Sequence, residues 1–422
     1  MIAVIGAGAS GIAAALQAAW NGAPVTLFER NEAIGRKLLV TGSGRCNITN
    51  DAASAEKYTC ADPAWMESLL GCFGVKDLLS MLARIGILVH KTDDGWYYPL
   101  SDSAHSVVEA FSSALAQAGV NLVQPAEVRS FGMKGKRFTV RYLQDGQEQE
   151  RKFDQVIVSA GGPAYPSLGS RGELFPVLKR MGHTVLPLRP ALAPVLAELG
   201  DLRPLQGVRL NAGVTLWNGS RRLTSTRGNL IFTQWGLNGP AVMDASHHIT
   251  AHPGAAVELS LNLLAYFQTE FDRLLAQNRK SLMPLRVFLG AFFPPKVVSV
   301  YLKNARLPED LPLSRVSDES LERLIKKLKD TRLPVKGVRD FEYCQMSVGG
   351  VPVSEVNPHT LESRVVSGLF LTGETVDVIG PCGGYNLTFA FISGALAGRA
   401  AARQRMGETT SRKSPERQLE PQ

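Results

Sequence analysis

The sequence predicts an α/β fold in which a parallel domain is split by an inserted antiparallel β-barrel-like domain and a helical module. At the start of the chain, an apolar strand runs into the glycine turn GAGASG and then into a helix. Near the end, a second apolar strand, GLFLTGE, precedes a helix that opens with two glycines. Between them, short strand-like segments with turns replace the alternation of strands and helices. We therefore expect the two ends of the chain to form one Rossmann-like domain.

The glycines of the first turn are spaced as in dinucleotide-binding proteins. Gly6, Gly8 and Gly11 follow a strand and open a helix, so backbone N–H groups can approach a diphosphate at the helix N-terminus. Glu29 ends the next strand, where its carboxylate can accept hydrogen bonds from a ribose diol. A purely structural turn is the alternative, but the context favours a nucleotide cofactor. FAD and NAD both present an ADP group to this motif, so it does not separate them.

A long segment, GRKLLVTGSGRCNITN, follows and is predicted to be a loop because it has neither a helical nor a strand period. Its GSG turn is flanked by Arg36, Lys37 and Arg45, which can hold a cofactor phosphate or an anionic substrate. A solvated basic loop is the alternative. Cys46 and Asn47 come next and can face the cofactor, although Cys46 can equally be a small buried filler.

The remaining patterns divide the chain. Residues 62–119 are mainly helical, and the segments VNLVQPAEVRSF, KRFTVRYL and FDQVIVSAGG are expected to return the chain to the sheet. After Pro187, the segments VRLNAGVTLW, RRLTSTRGNLIFT and AVELSLNLL predict an antiparallel barrel or sandwich. The predicted boundaries are 1–187 and 342–406 for the split domain, 188–263 and 329–341 for the barrel-like insert, 264–328 for a basic helical insert, and 407–422 for a disordered tail.

The C-terminal pattern separates the two cofactors. GLFLTGETVD followed by CGGYNLTFAF places a second strand end and helix N-terminus where a longer cofactor has its ribityl chain and isoalloxazine ring. The partial positive charge of a helix that starts near Gly383 and Gly384 would stabilise the anion of a reduced flavin. NAD needs no such second site, so the sequence favours FAD.

Long motifs extend this interpretation to a family. GRKLLVTGSGRCNITN, GNLIFTQWGLNGPA and SVGGVPVSEVNPHTLES with GLFLTGETVDVIGPCGGYN resemble the BaiN/RdsA family of NAD(P)/FAD-dependent oxidoreductases, from Met1 to about Ala401. The resemblance implies reduction of an activated carbon–carbon double bond, either of uridine in 23S rRNA to dihydrouridine or of an unsaturated 3-oxo bile-acid intermediate. It also implies NAD(P)H as a transient electron donor. The chain departs from the family pattern at Gln234, where many members have His, at Asn238, which replaces Ser, and in SAGGPAYPSLGSRGELF, which lacks a later Gly.

We predict that FAD contacts residues at the two glycine junctions, in the basic loop and on intervening strands. These candidates are Gly6, Gly8, Ala9, Ser10, Gly11, Glu29, Arg30, Arg36, Lys37, Thr41, Gly42, Arg45, Cys46, Val128, Ala160, Gly161, Gly373, Glu374, Asp377, Gly383, Gly384, Tyr385 and Asn386.

Reduction of a conjugated double bond also needs a proton donor. Cys382 precedes the Gly-Gly helix start, although a helix N-terminus favours a thiolate over the protonated thiol that an acid requires. Tyr385, Glu374 and Asp377 are the alternatives. Each of these three can instead bind the cofactor through hydrogen bonds or cap a helix.

The net charge of +8 suits a polyanionic partner but is also compatible with an ordinary protein. Most of the excess, a net of +6, lies between Leu263 and Asp340, where fifteen Lys/Arg stand against nine Asp/Glu. This stretch can bind RNA phosphates, or it can be a solvated face. The resemblance favours a 23S rRNA partner, with a small enone or amine, or a non-catalytic flavin-containing RNA-binding protein, as the competing hypotheses. The basic stretch includes Lys326, Lys327, Lys329, Arg332, Lys336 and Arg339.

Other classes find little support. The cysteines are odd in number and form no CxxC pair, which predicts neither a disulfide framework nor a zinc site and suggests a cytoplasmic protein. His183, His247, His248 and His359 show no metal-ligand spacing, so no metal is expected. No apolar run reaches the length of about 18 residues that a membrane-spanning helix needs.

Overall fold

The computed structural model describes residues 1–411, with side chains described through residue 404. It consists of two compact units. The first comprises Met1–Leu188 and the residues from Met346 onward, and the second comprises Arg189–Gln345. The predicted tail of 407–422 begins inside the last helix, which runs to Ser411, and its residues 412–422 lie outside the described part.

The strands are numbered in chain order. They are β1 (Ile2–Ile5), β2 (Val25–Phe28), β3 (Thr49–Asn50), β4 (Val89–Lys91), β5 (Trp96–Pro99), β6 (Asn121–Val123), β7 (Glu127–Lys134), β8 (Arg137–Gln144), β9 (Gln147–Phe153), β10 (Gln155–Val158), β11 (Leu186–Ala191), β12 (Val195–Ala197), β13 (Arg209–Asn218), β14 (Arg221–Thr233), β15 (Gly236–Asn238), β16 (Val257–Asn262), β17 (Thr331–Val338), β18 (Met346–Gly350) and β19 (Leu369–Leu371).

The α-helices are numbered in the same way. They are α1 (Ala9–Trp20), α2 (Arg36–Val40), α3 (Pro63–Cys72), α4 (Val75–Arg84), α5 (Ala104–Gln117), α6 (Phe175–Arg180), α7 (Pro240–Met243), α8 (Ser246–Thr250), α9 (Gln268–Asn278), α10 (Leu285–Gly290), α11 (Pro295–Ala305), α12 (Asp318–Lys329) and α13 (Tyr385–Ser411).

A five-stranded parallel sheet forms the centre of the first unit, in the order β19-β10-β1-β2-β6. Every residue of β1, β2, β10 and β19 is buried, as expected for a parallel sheet covered on both faces. Since β19 comes from the end of the chain and pairs with β10, the two ends build one sheet. The predicted α/β fold with a Rossmann-like parallel sheet is confirmed.

Small residues let the first and last helices of this unit meet backbone to backbone. A Cβ on Gly394 of α13 would overlap the carbonyl oxygen of Ser10, and one on Gly398 would overlap that of Ala14. At the edge of the contact, Arg399 Nε donates to Gln17 Oε1 at 3.0 Å. The C-terminal helix therefore lies against the helix that opens at the first glycine turn.

The expected return to the sheet is confirmed for β6 and β10 and wrong for the segments between them. The strands β7, β8 and β9 form an antiparallel meander of their own, because tight turns at Gly135 and Asp145-Gly146 reverse the chain. A second expectation is also wrong. The segment predicted as a loop contains the helix Arg36–Val40, which begins after Gly35 in a left-handed conformation and buries Leu38.

The second unit contains a closed antiparallel barrel with the strand order β12-β15-β14-β13-β16-β17. Between β16 and β17 the chain forms the four helices α9–α12. Buried aromatic side chains of this segment belong to the same cluster as barrel residues such as Leu216 and Phe232. They include Phe271 of α9, Phe288 of α10 and Phe293, which lies between α10 and α11. Among the described helices, none is long and apolar enough to cross a membrane.

Candidate functional site

The site in the first unit lies where its parallel strands end. Gly6 follows β1, Glu29 follows β2, Ser159 follows β10 and Thr372 follows β19. Because parallel strands place their carboxyl ends at one edge of the sheet, these residues share that edge, which is where open α/β sheets bind ligands. The Ser159 and Thr372 hydroxyl groups confirm the proximity with a buried hydrogen bond of 2.7 Å.

The first glycine turn leaves room at the N-terminus of α1. Gly6 has a φ of +98°, and a Cβ there would lie 2.6 Å from the carbonyl oxygen of Ser159. A Cβ on Gly11 would overlap the carbonyl oxygen of Gly6, so neither position accepts a side chain. At Gly8, by contrast, nothing lies within 4 Å of the Cβ position. This open space before a helix N-terminus fits a diphosphate group.

Glu29 is held rigidly at the end of β2. Its Oε2 accepts a hydrogen bond from the backbone N–H of Ala7 at 2.9 Å, and its Oε1 accepts from the backbone and side-chain N–H groups of Asn31 at 2.9 and 2.6 Å. Arg36 extends the network by donating to Asn31 Oδ1 at 2.7 Å. The carboxylate is thus fixed where the sequence predicts a ribose acceptor.

Arg30 makes contacts of a structural kind. Its guanidinium donates to the carbonyl oxygen of Gly169 at 2.7 Å and forms ion pairs with Glu127 at 2.7 Å and Glu173 at 2.6 Å. Burial alone would raise the pKa of Glu173, but the hydrogen bond and charge of Arg30 together with hydrogen bonds from backbone N–H groups lower it. Arg30 therefore ties the end of β2 to the start of β7 and to the loop before α6.

Lys37 joins the basic segment to the end of the chain. Its Nζ lies 2.9 Å from Glu374 Oε2, and Glu374 Oε1 accepts hydrogen bonds from the backbone N–H and the hydroxyl of Ser347 at 2.7 and 2.8 Å. The largely buried Glu374 carboxylate thus accepts from three donors. It acts as a hydrogen-bond acceptor, which does not suit a proton donor. Sequence reasoning missed Ser347, whose only signal was its place in the SVGG motif.

The turn after α2 is closed by its own side chains. Thr41 Oγ1 donates to the carbonyl oxygen of Leu38 at 2.7 Å, and Gly42 adopts a φ of +57° close to Tyr98. The Arg45 guanidinium lies 4.3 Å from the centre of the Tyr98 ring. Cys46 is completely buried, and burial raises the pKa of its thiol to about 11 despite a hydrogen bond with Thr41. These contacts favour the packing role for Cys46.

Two hydrogen bonds of the Asn386 side chain hold the loop that precedes α13. Asn386 Oδ1 accepts from the backbone N–H of Gly380 at 2.9 Å, and its Nδ2 donates to the Gly380 carbonyl oxygen at 2.8 Å. Gly383 and Gly384 have φ angles of +113° and +94°, which L side chains rarely adopt. Cys382 sits half-buried in this loop. The loop therefore has one well-defined conformation at the start of a 27-residue helix.

Tyr385 is mostly inside the protein. It is 7% exposed, and its ring meets the ring of Tyr58 edge to face at 6.1 Å between centroids. Its carbonyl oxygen accepts a hydrogen bond from the Tyr58 hydroxyl at 2.9 Å. The side chain thus belongs to an aromatic cluster beneath the first turn of α13.

Asn47 faces this helix start with an unused acceptor. The residue is 7% exposed, and its Oδ1 has no hydrogen-bond partner among the described residues. A Cβ on Gly384 would lie 2.9 Å from that oxygen, so the amide and the helix N-terminus border the same space. A buried acceptor without a partner costs about 1–3 kcal/mol. A ligand with an N–H group at this place would remove that cost, as the isoalloxazine of FAD can.

Other predicted residues lie near the carboxyl ends of the parallel strands or pack against residues there. Ser170 Oγ donates to the carbonyl oxygen of Ala160 at 2.8 Å, and a Cβ on the neighbouring Gly161 would lie 3.0 Å from that hydroxyl. A Cβ on Gly373 would lie 2.8 Å from Ser10 Oγ, which brings the second junction next to the first. Asp377 Oδ1 accepts from the backbone N–H of Gly349 at 2.7 Å. Val128 is buried in β7.

Gln234 and Asn238, two places where the sequence departs from the pattern that it resembles, lie in the second unit, whereas the third, SAGGPAYPSLGSRGELF, lies in the first. Gln234 is exposed in the turn between β14 and β15, next to Trp235. Asn238 Oδ1 accepts from the backbone N–H of Gly239 at 2.8 Å. His247 is half-buried; burial, aided by His248 and Arg189, lowers its pKa to about 3. No group of His, Cys, Asp or Glu in the described part is arranged to hold a metal ion.

The basic residues of this unit have two kinds of surroundings. Lys336 pairs with Glu198 at 2.8 Å, Arg332 pairs with Asp330 at 2.7 Å, and Arg339 lies over the ring of Tyr343 at 3.1 Å. In contrast, no ion pair within residues 1–404 involves Lys326, Lys327 or Lys329, which belong to the last turn of α12. The structure thus gathers the predicted basic residues on α12 and β17 and the segment that follows β17.

Comparison with known proteins adds to this geometry. A family model described as the HI0933-like protein Rossmann domain matches residues 1–400. The 3-dehydro-bile acid delta(4,6)-reductase of Clostridium scindens is 36% identical over 408 residues, covering 95% of this chain and 98% of that protein. The ribosomal RNA dihydrouridine synthase of Escherichia coli K12 is 30% identical over 393 residues, covering 92% and 95%.

A solved structure shares the fold. The 3-ketosteroid delta1-dehydrogenase of Sterolibacterium denitrificans matches with a TM-score of 0.51 at 11% identity, covering 96% of this chain and 99% of that one. At this identity the match concerns the path of the chain alone.

Proposed function

The chain belongs to the HI0933-like family, and from that premise we propose that this FAD-dependent oxidoreductase reduces a carbon–carbon double bond conjugated to a carbonyl group. The names of the two relatives support the proposal. One is a delta(4,6)-reductase of a 3-dehydro-bile acid, and the other forms dihydrouridine. Both reactions saturate a double bond next to a carbonyl, so one chemistry accounts for both.

The observation that carries the proposal is the meeting of two strand-to-helix junctions at one sheet edge. The first junction offers the open space at Gly8 and the fixed carboxylate of Glu29. The second offers the clamped N-terminus of α13 and the unused oxygen of Asn47. An ADP group fits the first and an isoalloxazine ring fits the second, which is the division that FAD requires.

The chain's own groups have distinct tasks in this reaction. Bound FAD supplies the hydride that the electron-poor carbon receives. The N-terminus of α13 places partial positive charge beside the ring site, which favours negative charge there. Asn386 keeps the loop in position, and the Lys37–Glu374 ion pair holds the segment after β19 against α2. Preorganisation of this kind lowers the cost of developing charge.

We propose Cys382 as the proton donor to the second carbon of the double bond. Four candidates were predicted. Glu374 is occupied by three donors, Asp377 accepts from the backbone N–H of Gly349, and Tyr385 is 7% exposed within an aromatic cluster. Cys382 is half-buried in the loop that leads into α13. We expect Cys382→Ala to lower substrate reduction by about 10²–10⁴-fold, the usual contribution of a general acid.

The measurement separates the two half-reactions. Reduction of the bound flavin by NADPH, followed at its visible absorbance, should proceed in Cys382→Ala as in the unchanged protein. Only the oxidation of that flavin by substrate should slow. Equal rates in both half-reactions would remove Cys382 from the mechanism, and Cys72→Ala, at an exposed cysteine of α3, is the control.

For the substrate we propose uridine in 23S rRNA, with NAD(P)H as the electron donor. The E. coli relative and the basic residues of the second unit support an RNA substrate. The second unit interrupts the FAD-binding domain in the sequence. We assign substrate recognition to its barrel and helices. A small 3-oxo enone is the second candidate, because the C. scindens relative has the higher identity, 36%.

Two measurements decide between the substrates. Deletion of the gene should remove a dihydrouridine from 23S rRNA, detected by mass spectrometry, and the intact gene should restore it. In parallel, purified protein is mixed with NADPH and an unsaturated 3-oxo steroid. Unchanged rRNA together with steroid-dependent oxidation of NADPH would replace the RNA substrate by the enone, whereas failure of both would refute the proposed chemistry.

A further inference from the structure

A cavity of about 710 Å³ lies wholly within the second unit. It is walled by β12 and the turn after it, the turn between β14 and β15, the helices α11 and α12, and β17. Its volume is in the range of cavities that hold specific ligands. We call it the barrel groove, and its polar and aromatic lining residues are Glu198, Asp201, Arg203, Gln234, Trp235, Tyr301, Asn304, Lys327, Thr331, Arg332 and Lys336.

Cations outnumber carboxylates in the barrel groove. Arg203, Lys327, Arg332 and Lys336 line it, against Glu198 and Asp201. Lys336 and, more weakly, Arg203 lower the pKa of Glu198, so this carboxylate is ionised and partly neutralises the two cations. Arg332 is paired with Asp330 at 2.7 Å. No ion pair within residues 1–404 involves Arg203 or Lys327, and we expect these two cations to attract an anion.

The dipole of α12 does not account for all of the cations in the groove. Lysines in the last turn of α12 complement the helix dipole and need no ligand. That explanation does not extend to Arg203, which comes from the turn after β12, or to Arg332 and Lys336, which come from β17. Cations from three separate elements converge on one cavity.

An indole ring and two side-chain amides also line the groove. Trp235 is half-buried in its wall, with the Arg339 guanidinium 5.2 Å from the ring centre. Gln234 is exposed beside it, and Asn304 presents a second amide from α11. An aromatic ring offers a stacking surface, and amides can pair with base edges. Phosphate binding alone would require neither.

We propose that the barrel groove binds a single-stranded segment of RNA, with its cations on the phosphates and Trp235 stacked on a base. This assignment rests on the proposed rRNA substrate and gives a role to the exposed amide of Gln234. Double-stranded RNA is recognised through phosphates and shape and has no unstacked base to offer Trp235. The groove is therefore expected to prefer single strands.

The test measures binding separately from catalysis. A fluorescein-labelled RNA single strand of about 12 nucleotides, within the usual site sizes, is titrated with the FAD-loaded protein, and fluorescence anisotropy is recorded at several salt concentrations. We expect the double variant Lys327→Glu and Lys336→Glu to lose at least about tenfold in affinity and to show a shallower salt dependence, by about 0.7 in logarithmic slope per phosphate contact. Lys152→Glu with Lys280→Glu makes the same charge change at exposed sites outside the groove and should retain most of the affinity.

Trp235→Ala distinguishes stacking from simple charge attraction. It should weaken binding of the single strand by about 5-fold to 150-fold, as stacking energies of about 1–3 kcal/mol imply, and leave binding of a matched duplex unchanged. Equal losses in the groove variant and the control variant, or an unaffected Trp235→Ala, would overturn the proposal. So would preference for the duplex.

The outcomes also separate this proposal from the proposed function. Loss of binding in the groove variants, with no dihydrouridine missing from 23S rRNA after gene deletion, would support the groove and refute the substrate. Dihydrouridine loss on deletion, with groove variants that bind RNA and restore the modification normally, would refute the groove and support the substrate. A far-UV circular dichroism spectrum and a limited-proteolysis pattern that match those of the unchanged protein show that the second unit has folded in each variant.

Discussion

Asn47 differs from a nearby asparagine in a way that predicts opposite effects of the same substitution. The Oδ1 of Asn47 is buried without a partner among residues 1–404, whereas Asn50 donates to the carbonyl oxygen of Gly383 at 3.1 Å and accepts from the N–H of Ala52 at 2.9 Å. Removing an unpaired polar atom relieves a cost, but removing a paired one leaves its partners unsatisfied.

We therefore expect Asn47→Leu to leave the FAD-free protein as stable as before, or more stable, while FAD binds about tenfold more weakly. Asn50→Leu should destabilise the FAD-free protein by about 1–3 kcal/mol. Thermal unfolding of the stripped protein and flavin titration by fluorescence quenching measure the two effects. Unchanged affinity for FAD in Asn47→Leu would show that the oxygen does not contact the cofactor.

Positions that are fixed by a short segment of the chain can be predicted from the sequence. Contacts between residues far apart in the sequence cannot. Gly6 and Glu29 were predictable because a strand, a turn and a helix within one short segment determine where they lie. The contact between Lys37 and Glu374 joins residues that are 337 positions apart, and no local pattern encodes it. The solvated alternative for Lys37 is thus replaced by an ion pair that only the folded sheet creates.

At the scale of the structural elements, the turn at Val353–Glu355 is held by hydrogen bonds among Glu355, His183 and Ser363. The order of these groups resembles that of a hydrolase triad. His183 Nδ1 lies 2.7 Å from Glu355 Oε2, and its Nε2 lies 3.0 Å from Ser363 Oγ. The side chain of His183 is fully buried, and Ser363 Oγ accepts hydrogen bonds from the backbone N–H groups of Val365 and Val366. The network links elements of the first unit and offers no access to a substrate.

This network predicts a dependence of stability on pH. Burial alone would raise the pKa of Glu355, but hydrogen bonds from Thr184 and His183 outweigh it, and the folded-state pKa lies below the ordinary 4.5. A lowered folded pKa means that the carboxylate contributes its full stabilisation above pH 4.5 and loses it as the pH falls through the folded value. Glu355→Gln should thus reduce stability at neutral pH and flatten its decline below 4.5.

Urea denaturation between pH 3 and 7, a window of about four units around the carboxyl pKa, measures this effect. Glu67→Gln, at an exposed position of α3, is the control and should follow the unchanged protein at every pH. If Glu355→Gln kept the full acid-dependent loss of stability, other carboxylates would be its source.

The contact between α1 and α13 makes a second prediction for the elements. Because a Cβ on Gly398 would overlap the carbonyl oxygen of Ala14, Gly398→Ala must move one helix. We expect a loss of about 1–3 kcal/mol in the free energy of unfolding, typical of overpacking, and weaker FAD binding because α1 carries the first glycine turn. Gly71→Ala, in α3 with nothing within 4 Å of its Cβ position, should be neutral or slightly stabilising.

Urea denaturation and FAD titration of both variants decide the matter. Equal stability of Gly398→Ala and Gly71→Ala would show that the two helices can separate without cost. The small residues of both helices were visible in the sequence, but a run such as ALAGRAAA indicates helix propensity without naming its partner. The separate meander of β7–β9 was missed for a related reason, since strand patterns do not specify which sheet a strand joins.

At the scale of the whole molecule, the cofactor site and the barrel belong to different compact units of one chain. Every predicted FAD-binding residue lies in the unit formed by residues 1–188 and the residues from Met346 onward. Within that unit, a Cβ on Gly349 would overlap the carbonyl oxygen of Pro187, so the two chain ends that flank the second unit lie side by side. The sequence indicated a split domain from its terminal motifs, but this proximity needed the structure.

Excision of residues 189–345 therefore makes the sharpest prediction at this scale. A short Gly/Ser linker from Leu188 to Met346 should give a yellow protein that keeps FAD, because the parallel sheet, α1 and α13 all remain. RNA binding should disappear, since the barrel groove is removed entirely. A chain that ends at residue 345 is the matched comparison, and it should bind no flavin despite its intact glycine turn, because it lacks β19 and the helix that covers α1. Absorbance spectra after gel filtration distinguish the two proteins, and a colourless but folded excision variant would place part of the FAD site in the second unit.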